Sequence, residues 1–410
     1  MHVVLISHWF PPTNIIGAIR PYQIARHFAD QGDRVTVICT GESNFDQNLE
    51  SDLSGIEVLR YSLPWITKYL EPSRAARSPF TKAMKGILRL AIYPDPFFLA
   101  AREIKTKARG LASARDSRID LIISSALPFS THVAARQVAK KLCVPWIADN
   151  RDLWALSPYR KSPRLLRYLD RAFERKILRD ADACTVIGDM MKEALEGQIG
   201  PNASKRVFVI RNGADKLTPT SAGQDQAPMT GKLLFTYSGG LYSGYRDPTP
   251  VFDALAHLGL NCSIDFYGSE QNVVAGYIDK YPTLEITSHA RVSHDAIQQI
   301  QERSNFLILA LGSGKFEKGV LTGKFYEYIA ARKPIIAICD EDSELAGLIS
   351  KYELGIASRS PSRISEFIKD YISGRWTLGA IPVELTREHQ LSRLRGMAIG
   401  IVDSFEQHAG

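Results

Sequence analysis

The sequence predicts an α/β protein of two doubly wound parallel-sheet domains facing across a cleft. Three observations predict it. Short apolar runs rich in β-branched residues alternate with longer stretches of helical period, as parallel strands joined by crossover helices do. The stretch DKLTPTSAGQDQAPMTGK, Asp215–Lys232, interrupts this alternation; it is rich in Thr, Ser, Gly, Pro and Gln and reads as a linker. The 410 residues suffice for about two or three independent cores. The expected division is therefore 1–214, a linker at 215–232, and 233–381, with a terminal helical stretch at 382–410 packing back onto the first domain.

Strands are expected at Val3–Ile6, Val35–Cys39, Ile56–Tyr61, Leu121–Ser124, Trp146–Ala148, Ala183–Ile187 and Val207–Ile210 in the first domain. In the second they fall at Leu233–Tyr237, Ser263–Tyr267, Leu284–Thr287, Phe306–Ala310, Ile335–Cys339 and Gly355–Ala357. The first unit illustrates the pattern. Pro21 suits the first turn of a helix, Ile24, Ala25, Phe28 and Ala29 give that helix an apolar face, and Gly32 ends it before the next strand.

Composition narrows the function classes. With 45% hydrophobic and 23% charged residues the chain is ordinarily globular. Its five cysteines lie in or beside apolar runs and form no CxxC pair, which points to reduced, packed thiols in the cytosol and away from structural zinc. MHVVLIS enters a strand pattern with no basic leader. No apolar run reaches the ~18 residues of a membrane span; the nearest, GILRLAIYPDPFFLAA (Gly86–Ala101), is broken by Arg89, two prolines and Asp95. The net charge of +7 admits an anionic ligand or surface. The basic residues lack interleaved aromatics on a recognisable module, which disfavours nucleic acid.

The stretch GVLTGKFYEYIAARKPIIAI, Gly319–Ile338, sets Gly-Lys at the start of a helical pattern. It is no Walker loop: three residues separate Gly319 from Gly323, and Phe325 stands where a magnesium-binding hydroxyl belongs. The first strand–helix loop lacks GxGxxG, so a nicotinamide dinucleotide is disfavoured. Gly17 in that loop either admits a ligand or merely turns the chain. Arg20, just ahead of the helix, offers a guanidinium to the cleft or a plain surface charge. His8 follows the first strand as a base candidate or a packing residue. Asn150, Arg151 and Asp152 follow a strand whose carboxyl end faces a ligand crevice. Asp180-Ala181-Asp182 spells a metal motif yet directly precedes a strand, and Asp340-Glu341-Asp342 reads as capping the helix that begins at Ser343.

Several segments, in order along nearly the whole chain, carry a resemblance. FPP, a following G-x-x-R and GDRVTVI resemble the amino-terminal signature of family-4-type retaining glycosyltransferases of the GT-B fold. VPWIADNRDLW (Val144–Trp154) is similar to a segment of members working on bacterial surface glycans. VIRNGAD (Val209–Asp215), FTYSGGLYSGYRDPTPVFDAL (Phe235–Leu255) and GKFYEYIAARKPIIAI resemble the family's hinge and carboxyl-domain motifs.

The resemblance implies two Rossmann-like domains, the second binding a nucleotide-sugar, expected to be UDP-linked, and the first binding the acceptor. It implies that Lys324 reaches the donor pyrophosphate and that Glu327 bonds the ribose. The physics agrees: a helix N-terminus with a lysine favours diphosphate, a carboxylate suits ribose hydroxyls, and i, i+3 spacing puts both side chains on one face. Two departures stand out. The family often carries a glutamate eight residues before Glu327, where this chain has Gly319, with Glu317 off register. The family's arginine after the first carboxyl-domain strand is replaced by Gly239-Gly240, and its lysine aligns with Arg246.

The site implied is thus Arg246, Lys324, Arg151 and Asp152 as catalytic groups; Gly17, Gly239, Gly240, Gly319, Gly323 and Glu327 on the donor; and His8, Arg20 and Asn150 on the acceptor side. No metal and no cofactor beyond the donor are expected. Positioned cations stabilise the departing nucleotide, and no side-chain nucleophile is required in this family. Pro163–Arg179 reads as a helix with Leu165, Leu166, Leu169, Phe173 and Ile177 on one side and Arg167, Arg171, Arg175 and Arg179 on another. With the basic stretch Arg102–Arg118, it suggests docking on an anionic membrane surface, the inner face of the cell membrane, near a lipid-linked or glycan acceptor. A solvated basic face is the plain alternative. Two other functions compete: a nucleotide-sugar 2-epimerase, needing carboxylate and histidine acid–base groups, and a non-catalytic nucleotide-sugar-binding partner of another transferase.

Overall fold

The structure is a computed structural model and describes residues 1–70, 92–113, 118–157, 163–201, 203, 206–215, 231–241, 246–314 and 317–409. Residues 216–230 of the expected linker, 86–91 of the apolar near-span and 114–117 of the basic stretch lie outside the described residues.

The chain forms two compact units, Met1–Ile210 with Leu391–Gly410, and Arg211–Gln390. Unit 1 carries β1 (His2–Ser7), α1 (Ile16–Asp30), β2 (Arg34–Thr40), β3 (Ile56–Tyr61), α2 (Trp65–Leu70), α3 (Ala101–Ser113), β4 (Leu121–Ala126) and α4 (Ser130–Leu142). It continues with β5 (Trp146–Asn150), α5 (Arg164–Leu178), β6 (Ala183–Val186), α6 (Asp189–Ile199) and β7 (Val207–Val209). Unit 2 carries β8 (Leu233–Ser238), α7 (Thr249–Leu258), β9 (Cys262–Tyr267), α8 (Gln271–Lys280), β10 (Glu285–His289), α9 (His294–Arg303) and β11 (Phe306–Ala310). Then follow α10 (Gly323–Ala331), β12 (Ile335–Ile338), α11 (Glu344–Lys351), β13 (Gly355–Ala357) and α12 (Pro361–Ile372); the terminal α13 (Arg387–Ala409) starts in unit 2 and from Leu391 onward belongs to unit 1.

Both sheets are parallel, with strand orders β3-β2-β1-β4-β5-β6-β7 and β10-β9-β8-β11-β12-β13. Every expected strand overlaps an observed one. The reason is visible in β1: Val4 and Ile6 enter one buried cluster with Ile38 and Ile122, while Val3 and Leu5 enter the other with Val35, Val37 and Ile123. A sheet covered on both faces needs apolar residues at consecutive positions, which is what the runs supply. Leu391, Leu394 and Ala398 of α13 join the same cluster as Ile24, Ala25 and Phe28 of α1. Arg395 donates to Asp33 at 2.7 Å beside them.

The first helix departs from expectation. It begins at Ile16, so Pro21 lies inside it rather than in its first turn. A proline there forgoes only the bond to the Gly17 carbonyl, close enough to the helix start to be tolerated. The shift also places Arg20 within α1 instead of ahead of it.

Candidate functional site

The strand order of unit 2 reverses between β8 and β11, where open α/β sheets leave a crevice beyond the strand carboxyl ends. Gly239 follows β8 with φ +100°. A Cβ there would overlap Lys324 Nζ and Cε, so glycine is what leaves room for the lysine. Lys324 is the second residue of α10, following Gly323 at the helix N-terminus. Its ammonium lies 4.7 Å from the centre of the Tyr237 ring. Nζ is shielded from solvent and makes no hydrogen bond. Burial first, then the neighbouring Arg246, lowers the Lys324 pKa to about 8, against the opposing charges of Glu327 and Glu270. A buried cation without a hydrogen-bond partner is unfavourable unless an anion joins it.

The turn facing Lys324 is fastened on every side. Gly239 N donates to the Tyr267 carbonyl at 2.7 Å, and Ser269 Oγ donates to the Gly239 carbonyl at 2.7 Å. Tyr237 Oη donates to the Gly240 carbonyl at 3.1 Å. Leu241 N donates to Glu270 Oε2 at 3.0 Å. From α10, Tyr328 Oη accepts from Ser238 N at 3.2 Å and donates to the Ile308 carbonyl at 3.1 Å, tying the helix to β8 and β11. Glu327 is half-buried beside Lys324. Gly319 closes a short 3-10 turn with the buried Glu317. Arg359 braces the preceding loop, donating to the Gly312 carbonyl at 2.6 Å and to Asp340 at 2.9 Å. The three acids at 340–342 do not cap α11: Ser343 Oγ accepts from Ala346 N, while Asp340, Glu341 and Asp342 pair with Arg359, Arg363 and Lys318. Unit 2 therefore brings Gly239, Arg246, Lys324 and Glu327 together, with Gly240, Gly319 and Gly323 on the flanking backbone.

In unit 1 the candidates sit deeper than expected. Arg20 is buried and grips Asp149 of β5, with Nη2–Oδ1 at 2.7 Å, and also donates to the Ile210 carbonyl. Thr185 and Ser125 donate to the same carboxylate. Burial would raise the Asp149 pKa, yet Arg20 and these hydroxyls hold it below the usual range. Arg20 is thus engaged in an internal ion pair within unit 1, which corrects the reading of it as a plain surface charge. Asn150 is likewise internal, its Oδ1 accepting from His132 Nε2 at 3.2 Å and its Nδ2 donating to the Ala148 and Thr185 carbonyls. His132 also meets Ser124 at 2.7 Å. This Ser–His–Asn row is fully buried, and burial lowers the His132 pKa to about 4.

His8 is buried, its Nδ1 2.9 Å from Tyr61 Oη, its Nε2 without a hydrogen-bond partner, and its pKa lowered by burial to about 3. Gly17 lies in the first turn of α1, where a Cβ would come 2.9 Å from Trp9 Cδ1. Arg151 and Asp152 pair with each other at 2.7 Å and stay partly exposed. Asp180 pairs with Arg136 and Lys140, and Asp182 accepts from Trp146 N, so both serve protein partners.

The basic face of α5 is shorter than its sequence suggests. Arg175 and Arg179 donate to the Gln198 and Ile199 carbonyls, and Glu174 is buried, accepting from Trp154 N and Ala155 N. Leu165, Tyr168 and Leu169 are exposed, with Arg167 and Arg171 between them. A cavity of about 720 Å³ opens at the amino ends of β4 and β5, lined among others by Arg118, Cys143 and Phe405; no candidate residue lines it.

Sequence reasoning missed Tyr237, Ser269, Glu270 and Tyr328 in unit 2 and Asp149 in unit 1. Asp149 did leave a signal: an acid directly after the apolar run Trp146–Ala148 of a buried strand demands a buried partner.

The chain has the GT-B fold, built here from two parallel-sheet α/β units of seven and six strands. Residues 17–213 match the family described as glycosyl transferase 4-like domain. No curated protein sequence matches the chain. Among solved structures, Anabaena HepE in complex with UDP is 15% identical over 100% of this chain and 99% of its own, with a TM-score of 0.59. The HepE complex with UDP-glucose gives 15% and 0.56 over the same shares. The lipopolysaccharide outer core galactosyltransferase WaaB gives 13% identity and 0.59, covering 97% of this chain and 99% of its own. A glycosyltransferase from Rickettsia africae gives 13% and 0.58, covering 99% and 97%. At these identities the likeness establishes the fold.

Proposed function

We propose that the chain is a retaining glycosyltransferase that moves a sugar from a UDP-sugar to a glycan or lipid-linked acceptor in surface-polysaccharide or glycolipid assembly. The observation that carries the donor site is Lys324 Nζ: shielded, without a hydrogen bond, at a helix N-terminus, and facing a glycine that leaves it room. A pyrophosphate supplies the anion such a group lacks. Lys324 and Arg246 then stabilise charge developing on the departing nucleotide, and Glu327 accepts from the ribose hydroxyls. Gly239, Gly240, Gly319 and Gly323 present backbone to the donor. HepE, of the same fold, is crystallised with UDP and with UDP-glucose, which supports the choice of nucleotide.

In unit 1, Arg20 acts through Asp149, steadying the β5 carboxyl end from which Arg151 and Asp152 project toward the acceptor. Gly17, expected on the donor, and His8 and Asn150, expected on the acceptor side, are proposed to shape the ligand-facing end of unit 1. Retention, metal independence and the acceptor class rest on the resemblance of the motifs. No described helix is long and apolar enough to cross a membrane. The exposed Leu165, Tyr168 and Leu169 with Arg167 and Arg171 are proposed to rest on an anionic membrane surface at its cytoplasmic side. An epimerase would need titrating acid–base groups. His8 and His132 are held uncharged by burial, so no observation favours that alternative.

Calorimetry with UDP on wild type, Lys324→Ala and Glu327→Ala tests the donor site. Weakened binding in both folded variants is expected; unchanged affinity in both would remove the assignment.

A further inference from the structure

Glu270 lies outside every motif read from the sequence. It ends the short β9–α8 connection and is the residue ahead of α8, with a β-region backbone and no side-chain cap on its own helix. An acid at a helix start would ordinarily face that helix's free N–H groups. Glu270 instead turns its carboxylate back to Leu241 N, 3.0 Å away on the loop after β8. Ser269, its neighbour, donates to the Gly239 carbonyl at 2.7 Å. The β9–α8 connection thus grips the Gly239–Leu241 turn from both ends, and that turn is what Lys324 lies against.

We propose that Glu270 is a positioning residue for the pyrophosphate-binding lysine, holding the Gly239–Leu241 turn in place and facing Lys324 with a negative charge from outside α10. The proposal rests on the donor site assigned above. Among the described residues, the charged groups that bear on Lys324 are Arg246 from the stretch before α7, Glu327 from α10 itself, and Glu270 from the β9–α8 connection, with the Tyr237 ring beneath. Arg246 disfavours the charged lysine, whereas the two carboxylates favour it. Of these carboxylates, Glu327 is assigned to ribose and would be drawn into hydrogen bonds by the donor. Glu270 is already anchored to backbone, so its charge stays beside the lysine whether or not nucleotide is bound.

Two roles of Glu270 separate by substitution. Glu270→Gln keeps an oxygen for Leu241 N and removes the charge. Glu270→Asp keeps the charge with a shorter reach. The reactivity of Lys324 toward acetic anhydride, followed by peptide mass spectrometry from pH 6 to 10 on ligand-free protein, reports its titration without any nucleotide. Glu270→Gln is expected to move the midpoint downward by roughly half a pH unit, the size expected of one partly screened carboxylate nearby. Glu270→Asp is expected to return most of that shift. Because the charged lysine binds diphosphate, the upper pH limit of UDP binding should move down in parallel in Glu270→Gln. A midpoint equal to wild type in Glu270→Gln overturns the proposal, as does a shift of the same size in Glu270→Asp, which would mark a merely structural role. If Glu270 moves the labelling midpoint but wild type fails to bind UDP, the donor assignment fails while the electrostatic link between Glu270 and Lys324 stands.

Discussion

Replacing Lys324 with methionine should make the free protein more stable and the nucleotide site useless. The ordinary lysine value is 10.5, and here burial and Arg246 bring it to about 8. At ~1.36 kcal/mol per pH unit, holding this ammonium charged in the fold costs about 3 kcal/mol at pH 7. The Tyr237 ring recovers ~1 kcal/mol of that. Methionine fills similar space without charge, so a net gain of about 1–2 kcal/mol is expected, or ~2–8 °C in Tm for a unit of this size. The sign in pH follows from proton counting. Between about 8 and 10.5 the unfolded chain holds more protons at this lysine than the folded one. Wild-type stability should therefore rise with pH across that window relative to Lys324→Met. Binding runs the other way: the charged lysine favours diphosphate, so UDP affinity should be full below about pH 8 and fall above it. Differential scanning calorimetry with and without UDP at pH 7 and pH 9 reads both effects. A variant that is less stable than wild type at pH 7, or that keeps the UDP-induced shift, would refute the reasoning. The pattern expected is that of a functional site held at some expense of stability.

Further outcomes follow from other contacts. Arg20→Ala leaves Asp149 buried without its cation and should lose ~3–5 kcal/mol in urea unfolding; a loss under ~1 kcal/mol would contradict the internal ion pair. Gly239→Ala should abolish UDP binding, since its Cβ displaces Lys324 and the backbone holds φ +100°; retained binding would argue against the packing described. Arg246→Ala should raise the Lys324 titration midpoint by removing a like charge, while weakening UDP by roughly tenfold through loss of one charge-assisted contact; a lowered midpoint would be inconsistent with their proximity. Leu165→Ser with Tyr168→Ser should reduce co-sedimentation with anionic vesicles but not with neutral ones, and no change would end the proposed membrane contact of α5.

The strands were legible because a sheet buried on both faces writes its pattern as runs of apolar and β-branched residues, and Val3–Ile6 of β1 and Val35–Cys39 of β2 are buried at every position. The start of α1 was not: a proline at position 21 reads as a first-turn residue, whereas the helix begins at Ile16 with Ala18 and Arg20 buried in the turn ahead of it. Lys324 and Glu327 were singled out by the resemblance of their segment, with which a Gly-Lys helix start agrees, and the structure places both in α10. Glu270 and Ser269 were not, since they act through backbone atoms of a loop some thirty residues away, a separation no local period records. The arginines of α5 looked like an even basic stripe. Two of them bond carbonyls at the end of α6, which converts half the stripe into internal structure.

The measurement that bears most directly on the donor assignment is a comparison of thermal shifts of the wild-type protein with UDP, GDP, dTDP, CMP and NAD at matched concentrations. The site predicts stabilisation by UDP above all others, because a ligand bound only by the folded state raises Tm by mass action. No shift with any nucleotide, in a sample that unfolds cooperatively, would contradict it.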